Sequence, residues 1–295
     1  MSLEEGAVFA GLSHTALDGP AVELGHGVVV CETYAHLMAP FMVAFSPAEP
    51  GKAHPAPWAA ASGGFGFDIH VQLFVPGSLS RDLELDPTWA AWWITSLIRL
   101  RTDPRVTVPV LASHAFSDAS TLGDKVTFRL LEVAPRTLLG AGQAPVPLSD
   151  TDLAWVKRQW LSAASLLQKS ASFSLLAEAV DQCASARHRN LALLWLWGGL
   201  EAVFSPAKAE LRYRVSSAIA SYLEPSGLGR MALQKRVAKL YDSRSSAAHG
   251  RADKSDTSLE ETYSLAVTVV TKIIEEDHVP THAELEARLF GADET

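Results

Sequence analysis

The chain has 295 residues, 48% hydrophobic and 20% charged, with 19 Gly and 16 Pro dispersed along it, which excludes a disordered or collagen-like polymer and suits two domains. Its formal net charge is −8, and its 2 cysteines, Cys31 and Cys183, lie far apart, which excludes a disulfide scaffold and a four-thiolate zinc site and leaves two buried free thiols as the expectation. No apolar run reaches the roughly 18 to 20 uncharged residues a membrane span needs, and the acidic start Met1-Ser-Leu-Glu-Glu is unlike a secretory signal, so a cytoplasmic protein with no membrane partner is expected.

In the first half, Gly27 to Glu32, Phe67 to Val75, Val106 to Leu111 and Val126 to Val133 are β-branched or alternating runs bounded by Gly, Pro and Asp, the pattern of strands. Ser46 to Gly64, rich in Pro, Ala and Gly, reads as surface loop. One helix interrupts the strands: Asp86 can cap it, Pro87 suits its first position, and Trp89, Trp92, Trp93, Leu97 and Leu100 recur at helical spacing. At that spacing the tryptophans read as core rather than as a base-stacking platform. The small, proline-bearing stretch Gly140 to Leu148 then marks a boundary between an α+β domain, 1–147, and an all-α domain, 148–295.

The second half is patterned as a bundle of five to seven helices. Ser149 with Asp152 resembles a capping box before a stripe of Leu153, Val156, Trp160, Ala164 and Leu167; Phe173, Leu176, Val180 and Cys183 continue in a second helix. Asn190 to Phe204 is apolar almost all round and must be central. A fourth helix carries Leu211, Val215, Ile219 and Tyr222, and a fifth carries Leu233, Val237, Leu240 and Tyr241 before Gly250. Thr257 with Glu260, and Thr281 with Glu284, read as capping boxes for two more.

Charge is unevenly spread. Residues 187–254 hold 12 basic against 5 acidic residues, while 255–295 hold 2 against 10. The basic stretch could form a phosphate-binding face, or the acidic tail helix could pair with it internally. Within it, Glu201 places a carboxylate on an apolar helix, where burial demands a partner. Arg212 and Arg214, at the start of the next helix, are the expected partners, in a structural ion pair between the two helices. Arg244 and His249 close the fifth helix; five positions apart, their directions differ by about 140°, so they converge only if the long Arg stem curls around the helix end. A helix carboxyl terminus favours imidazolium.

Elsewhere, His278 and His282 have i,i+4 spacing, but Pro280 lies between them with no third ligand, so two surface histidines are expected and no metal. Asp68 and His70 share one face of a strand and read as a satisfied sheet pair. No dinucleotide fingerprint, Walker loop or serine elbow is present, so no cofactor is expected.

The apolar helix ending Leu-Trp-Gly-Gly-Leu-Glu-Ala-Val-Phe204, the Arg-bearing helix around Leu211 to Leu223, and Leu240-Tyr-Asp-Ser-Arg-Ser-Ser-Ala-Ala-His-Gly250 together resemble the HEPN superfamily, in particular its ApeA-like branch, over residues 150–290. The resemblance implies a helical bundle that commonly forms a homodimer and, in catalytic members, acts as a metal-independent endoribonuclease through an Arg-x4-6-His motif, often in a toxin or anti-phage defence role. Carried onto this sequence the catalytic pair is Arg244 and His249, with Glu201, Arg212, Arg214, Tyr241 and Ser245 in support. The residue after Arg is often Asn, Asp or His in that superfamily; here it is Ser245, which can donate a hydrogen bond but cannot ionise. Because one histidine cannot serve as both base and acid at once, the expected site is composite, built across a twofold axis around RNA. The alternative keeps the fold and loses the reaction: a non-catalytic scaffold binding RNA, a nucleotide or a protein. The first 147 residues would sense a trigger, select RNA or contact a partner.

Overall fold

A computed structural model describes residues 6–39, 42–60, 65–140, 144–205, 210–248 and 257–292. An antiparallel sheet region is followed by a helical region, in two compact units: Met1–Ala91 with Thr107–Val133, and Trp92–Val106 with Ala134–Thr295.

The first unit holds strands β1 (Val8–Ser13), β2 (Val22–Gly25), β3 (Val28–Ala39), β4 (Met42–Ala44), β5 (Trp58–Ala60), β6 (Phe65–Val75), β7 (Thr107–Ala112) and β8 (Phe128–Leu130), with short helices α1 (Ser78–Asp82) and α3 (Ala119–Leu122) and the start of α2 (Pro87–Arg101). Six strands form one sheet in the order β2-β3-β6-β1-β7-β8, every pair antiparallel, and β4 pairs with β5, which lies inside the stretch 46–64 that the sequence reads as loop. β1 escapes the sequence reading because it lies inside the sheet with its last four residues buried, so its apolar side chains do not alternate with polar ones. Gly11 is required there: a Cβ would stand 2.7 Å from the ring of Phe116 and 2.9 Å from Ile69. Phe116 and Ile69 pack with Val110, Ala112 and Val126 into the core cluster on that side. β3 runs on to Ala39, well past the expected Glu32, and its second half turns Tyr34, His36 and Met38 to the exterior. The expected strand 126–133 reduces to Phe128–Leu130, an edge strand.

The second unit contains, among the described residues, seven helices after α3: α4 (Asp150–Lys169), α5 (Ala171–Gln182), α6 (Arg189–Phe204), α7 (Leu211–Leu223), α8 (Leu228–Ala248), α9 (Ser258–Glu276) and α10 (His282–Phe290). The apolar α6 is central, in contact with α5, α7, α8 and α9. Gly199 lets it approach α5 so closely that an added Cβ would lie 2.7 Å from the Leu176 Cα, whereas the neighbouring Gly198 has open space. Ser149 caps α4 by accepting from the Asp152 N–H, and Thr281 with Glu284 closes a full capping box on α10. Thr257 makes no such cap: its hydroxyl donates to Glu261, and Glu260 turns instead to Arg189, which holds it through two bonds of 2.9 and 2.7 Å. Arg236 likewise reaches Glu261, so the acidic α9 does pair with part of the basic stretch.

One division at 147/148 does not describe these units, because the chain leaves the first unit within α2 and again at 133/134. The physical reason is a buried ionic knot inside the second unit. Asp181 of α5 accepts from Arg99 of α2 at 2.8 Å and from Ser96 at 2.9 Å, and Arg136 bonds to the Asp181 carbonyl and to that of Pro104. Burial works to raise the Asp181 carboxyl, but the guanidiniums of Arg99 and Arg136 and the bonds from Arg99 and Ser96 outweigh it and hold it below the ordinary carboxylate range. Arg105 adds bonds to Asp103 and to the carbonyls of Gly140 and Ala144. Residues 92–106 and 134–147 are thereby tied to the helices that follow.

Candidate functional site

Near the end of α8 the residues singled out by the sequence meet α6. Trp197 and Glu201 are one helical turn apart on α6, and Tyr241 and Arg244 are one turn apart on α8, so each helix offers two side chains on one face to the other. The Tyr241 hydroxyl donates to Glu201 Oε1 at 2.7 Å, and Arg244 Nη2 donates to Oε2 at 3.0 Å. Arg244 Nε lies 2.7 Å from Oε1, an ion-pair distance at which its N–H is not aligned for a hydrogen bond. The guanidinium also sits 5.5 Å over the Tyr241 ring, and Trp197 meets the same ring edge-on at 5.0 Å.

The carboxylate is thus held by two donors and the guanidinium is fixed on one edge. The side chain of Arg244 remains 30% exposed against 17% for Glu201, with its Nε buried. Burial, then the hydrogen bond to the Glu201 carboxylate and its charge, push the Tyr241 hydroxyl up to about 12, so it stays a neutral donor throughout the physiological range. Trp197 was not among the residues the sequence marked; its i,i+4 relation to Glu201 is the signal that points to it.

The expected partners of Glu201 are corrected. Arg212 makes a two-bond pair of 2.6 and 2.9 Å with Asp242, both side chains more than half exposed, and Arg214 comes no closer than 4.0 Å to Glu210. Neither is bonded to Glu201, whose partners lie some forty residues further on. Ser245 is exposed beside Arg244. His249 and Gly250, on which the second half of the motif falls, lie outside the described residues.

In the first unit, Asp68 pairs across the sheet with His36 rather than along its own strand with His70: His36 Nδ1 and Asp68 Oδ1 are 2.8 Å apart at opposed register positions. The bond to His36, with the charges of His36 and His70, holds the Asp68 carboxyl below its usual value, while His70 lies 5.8 Å from the ring of Tyr34. Trp93 is buried and donates to the Trp160 carbonyl, a core role. His278 pairs with Glu284 at 2.8 Å, and among the described residues no three His, Cys, Asp or Glu side chains are grouped so as to hold a metal ion. Cys31 and Cys183 are both free, Cys183 buried and Cys31 half-buried. No helix among the described residues is long and apolar enough to cross a membrane. No family model, curated protein or solved structure matches this chain.

Proposed function

We propose that the helical unit is a HEPN-type, metal-independent endoribonuclease, acting in the cytoplasm in a toxin or anti-phage defence role. The observation that carries this reading is the part-exposed side chain of Arg244, its guanidinium gripped by Glu201 and backed by Tyr241 near the end of α8. Cleavage of RNA through the ribose 2′-hydroxyl needs a base to take the proton of that hydroxyl, an acid to protonate the leaving 5′-oxygen, and positive charge at the phosphorane. Arg244 supplies the charge. A cation already locked in place does not reorganise as charge develops on the phosphate, which is where electrostatic stabilisation is most effective. His249 supplies acid or base, and a second copy of the chain supplies the other imidazole across a twofold axis.

The test is RNA cleavage in EDTA by wild type, Arg244→Ala and His249→Ala, with mass measured alongside. Loss of cleavage in both variants supports the assignment; undiminished cleavage by either removes it. A second reading rests on the same ion pair: the Glu201 carboxylate already matches the Arg244 charge, which suits a non-catalytic scaffold. That reading predicts no cleavage by wild type; a protein-binding scaffold need show neither dimerisation nor RNA affinity that falls steeply with salt, whereas a phosphate-gripping nuclease shows both.

A further inference from the structure

Arg214, which has no part in the Glu201 site, lines a groove between α7 and α10 enclosing about 470 Å³. That volume lies within the range of small-molecule sites, roughly 300 to 1,000 Å³. The groove's apolar lining has Phe204 and Leu285 buried beneath and Leu289 and Phe290 exposed at the surface. Set into it is Ser217, only 4% exposed. The hydroxyls of Ser216 and Ser221 on the same helix return to the carbonyls of Tyr213 and Ala218, but that of Ser217 has no hydrogen-bond partner among the described residues. That hydroxyl reaches the surface of the groove, where an incoming group can exchange a hydrogen bond with it in place of solvent.

The charges around the groove limit what that can be. Arg214 keeps 47% of its side chain exposed, and its 4.0 Å approach to Glu210 is too long for a hydrogen bond. Glu210 and Glu286 stand on the same rim. A simple anion drawn by the guanidinium meets two carboxylates, and a simple cation drawn by the carboxylates meets the guanidinium. A ligand carrying both signs satisfies each.

We propose that this groove binds a small zwitterion with an apolar body, of the chemistry of an aromatic amino acid. Its carboxylate takes the planar fork of Arg214 and the Ser217 hydroxyl, its ring lies against the exposed apolar side chains of Leu289 and Phe290, and its ammonium faces Glu286. The site is separate from Arg244 and does not depend on the nuclease reading.

The test is calorimetric titration of the full chain with L-tryptophan, tryptophanamide, N-acetyltryptophan and indole. L-Tryptophan binds saturably; removing either charge lowers affinity at least about tenfold, the size of one charge-assisted hydrogen bond. Arg214→Ala lowers L-tryptophan affinity by the same factor, and Glu286→Gln weakens L-tryptophan while leaving the N-acetyl compound unchanged. Both residues are exposed, so unfolding midpoints equal to wild type confirm that the variants fold. Absence of saturable L-tryptophan binding, equal binding of indole, or unchanged affinity in Arg214→Ala each overturns the proposal.

Discussion

Glu201 and Arg244, 43 positions apart on two packed helices, meet with 2.7 Å between Oε1 and Nε, and Tyr241 donates to the same carboxylate oxygen. The pair makes the cation rigid and also lowers its net field, so its worth is measurable in two currencies, stability and phosphate binding.

In a double-mutant cycle of Glu201→Gln and Arg244→Gln, urea unfolding should give a coupling energy of about 1 kcal/mol, within the range for residues in direct contact. Under the nuclease reading Glu201→Gln also lowers cleavage without abolishing RNA binding, because it frees the guanidinium to swing rather than deleting it. Independent, additive effects on stability would show that the ion pair contributes no coupling.

Tyr241 provides a spectroscopic test of the same cluster. Its hydroxyl titrates at about 12, against about 10 for an unperturbed tyrosine. A group whose folded value is raised contributes stability that is complete below the unfolded value and lost as pH rises through the folded one, here between roughly 10 and 12. The phenolate absorbance difference between wild type and Tyr241→Phe isolates this group. Glu201→Gln should move its titration down but not fully back to 10, since burial, the larger cause, remains.

Asp181 should be a stability residue. Asp181→Asn removes the carboxylate charge that pairs with the buried guanidiniums of Arg99 and Arg136, and the expected loss is about 3 to 5 kcal/mol, read from urea midpoints. Because its carboxyl is held below the usual value, its contribution is complete above roughly pH 4 and falls away as pH drops through the folded value. The acid limb of the wild-type stability curve should therefore be steeper than that of the variant.

The two glycines of α6 should respond in opposite directions. Gly198→Ala places its methyl in open space and should stabilise by about 0.5 to 1 kcal/mol through helix propensity. Gly199→Ala drives a methyl to 2.7 Å from the Leu176 Cα and should destabilise by about 1 to 3 kcal/mol, since backbone must move. Thermal unfolding of the two variants distinguishes them, and a shared sign would contradict the packing described.

What local chemistry dictates was legible along the chain. The helices of the second unit, the caps at Ser149 and Thr281, the helix begun by Asp86 and Pro87, and the centrality of 190–204 all depend on spacings of three or four residues, and each was visible as such. Tertiary structure decided whatever depends on partners distant in sequence. β1 became an inner strand because β6 and β7 supply its ladders, and its two-sided burial erased the alternation that marks strands. Glu260 left the Thr257 cap for Arg189, the ionic knot at Asp181 moved the division of the units away from 147/148, and Glu201 chose Arg244 over the nearer Arg212 and Arg214. A buried charge takes the partner that packing brings within bonding distance, and distance along the chain does not set that.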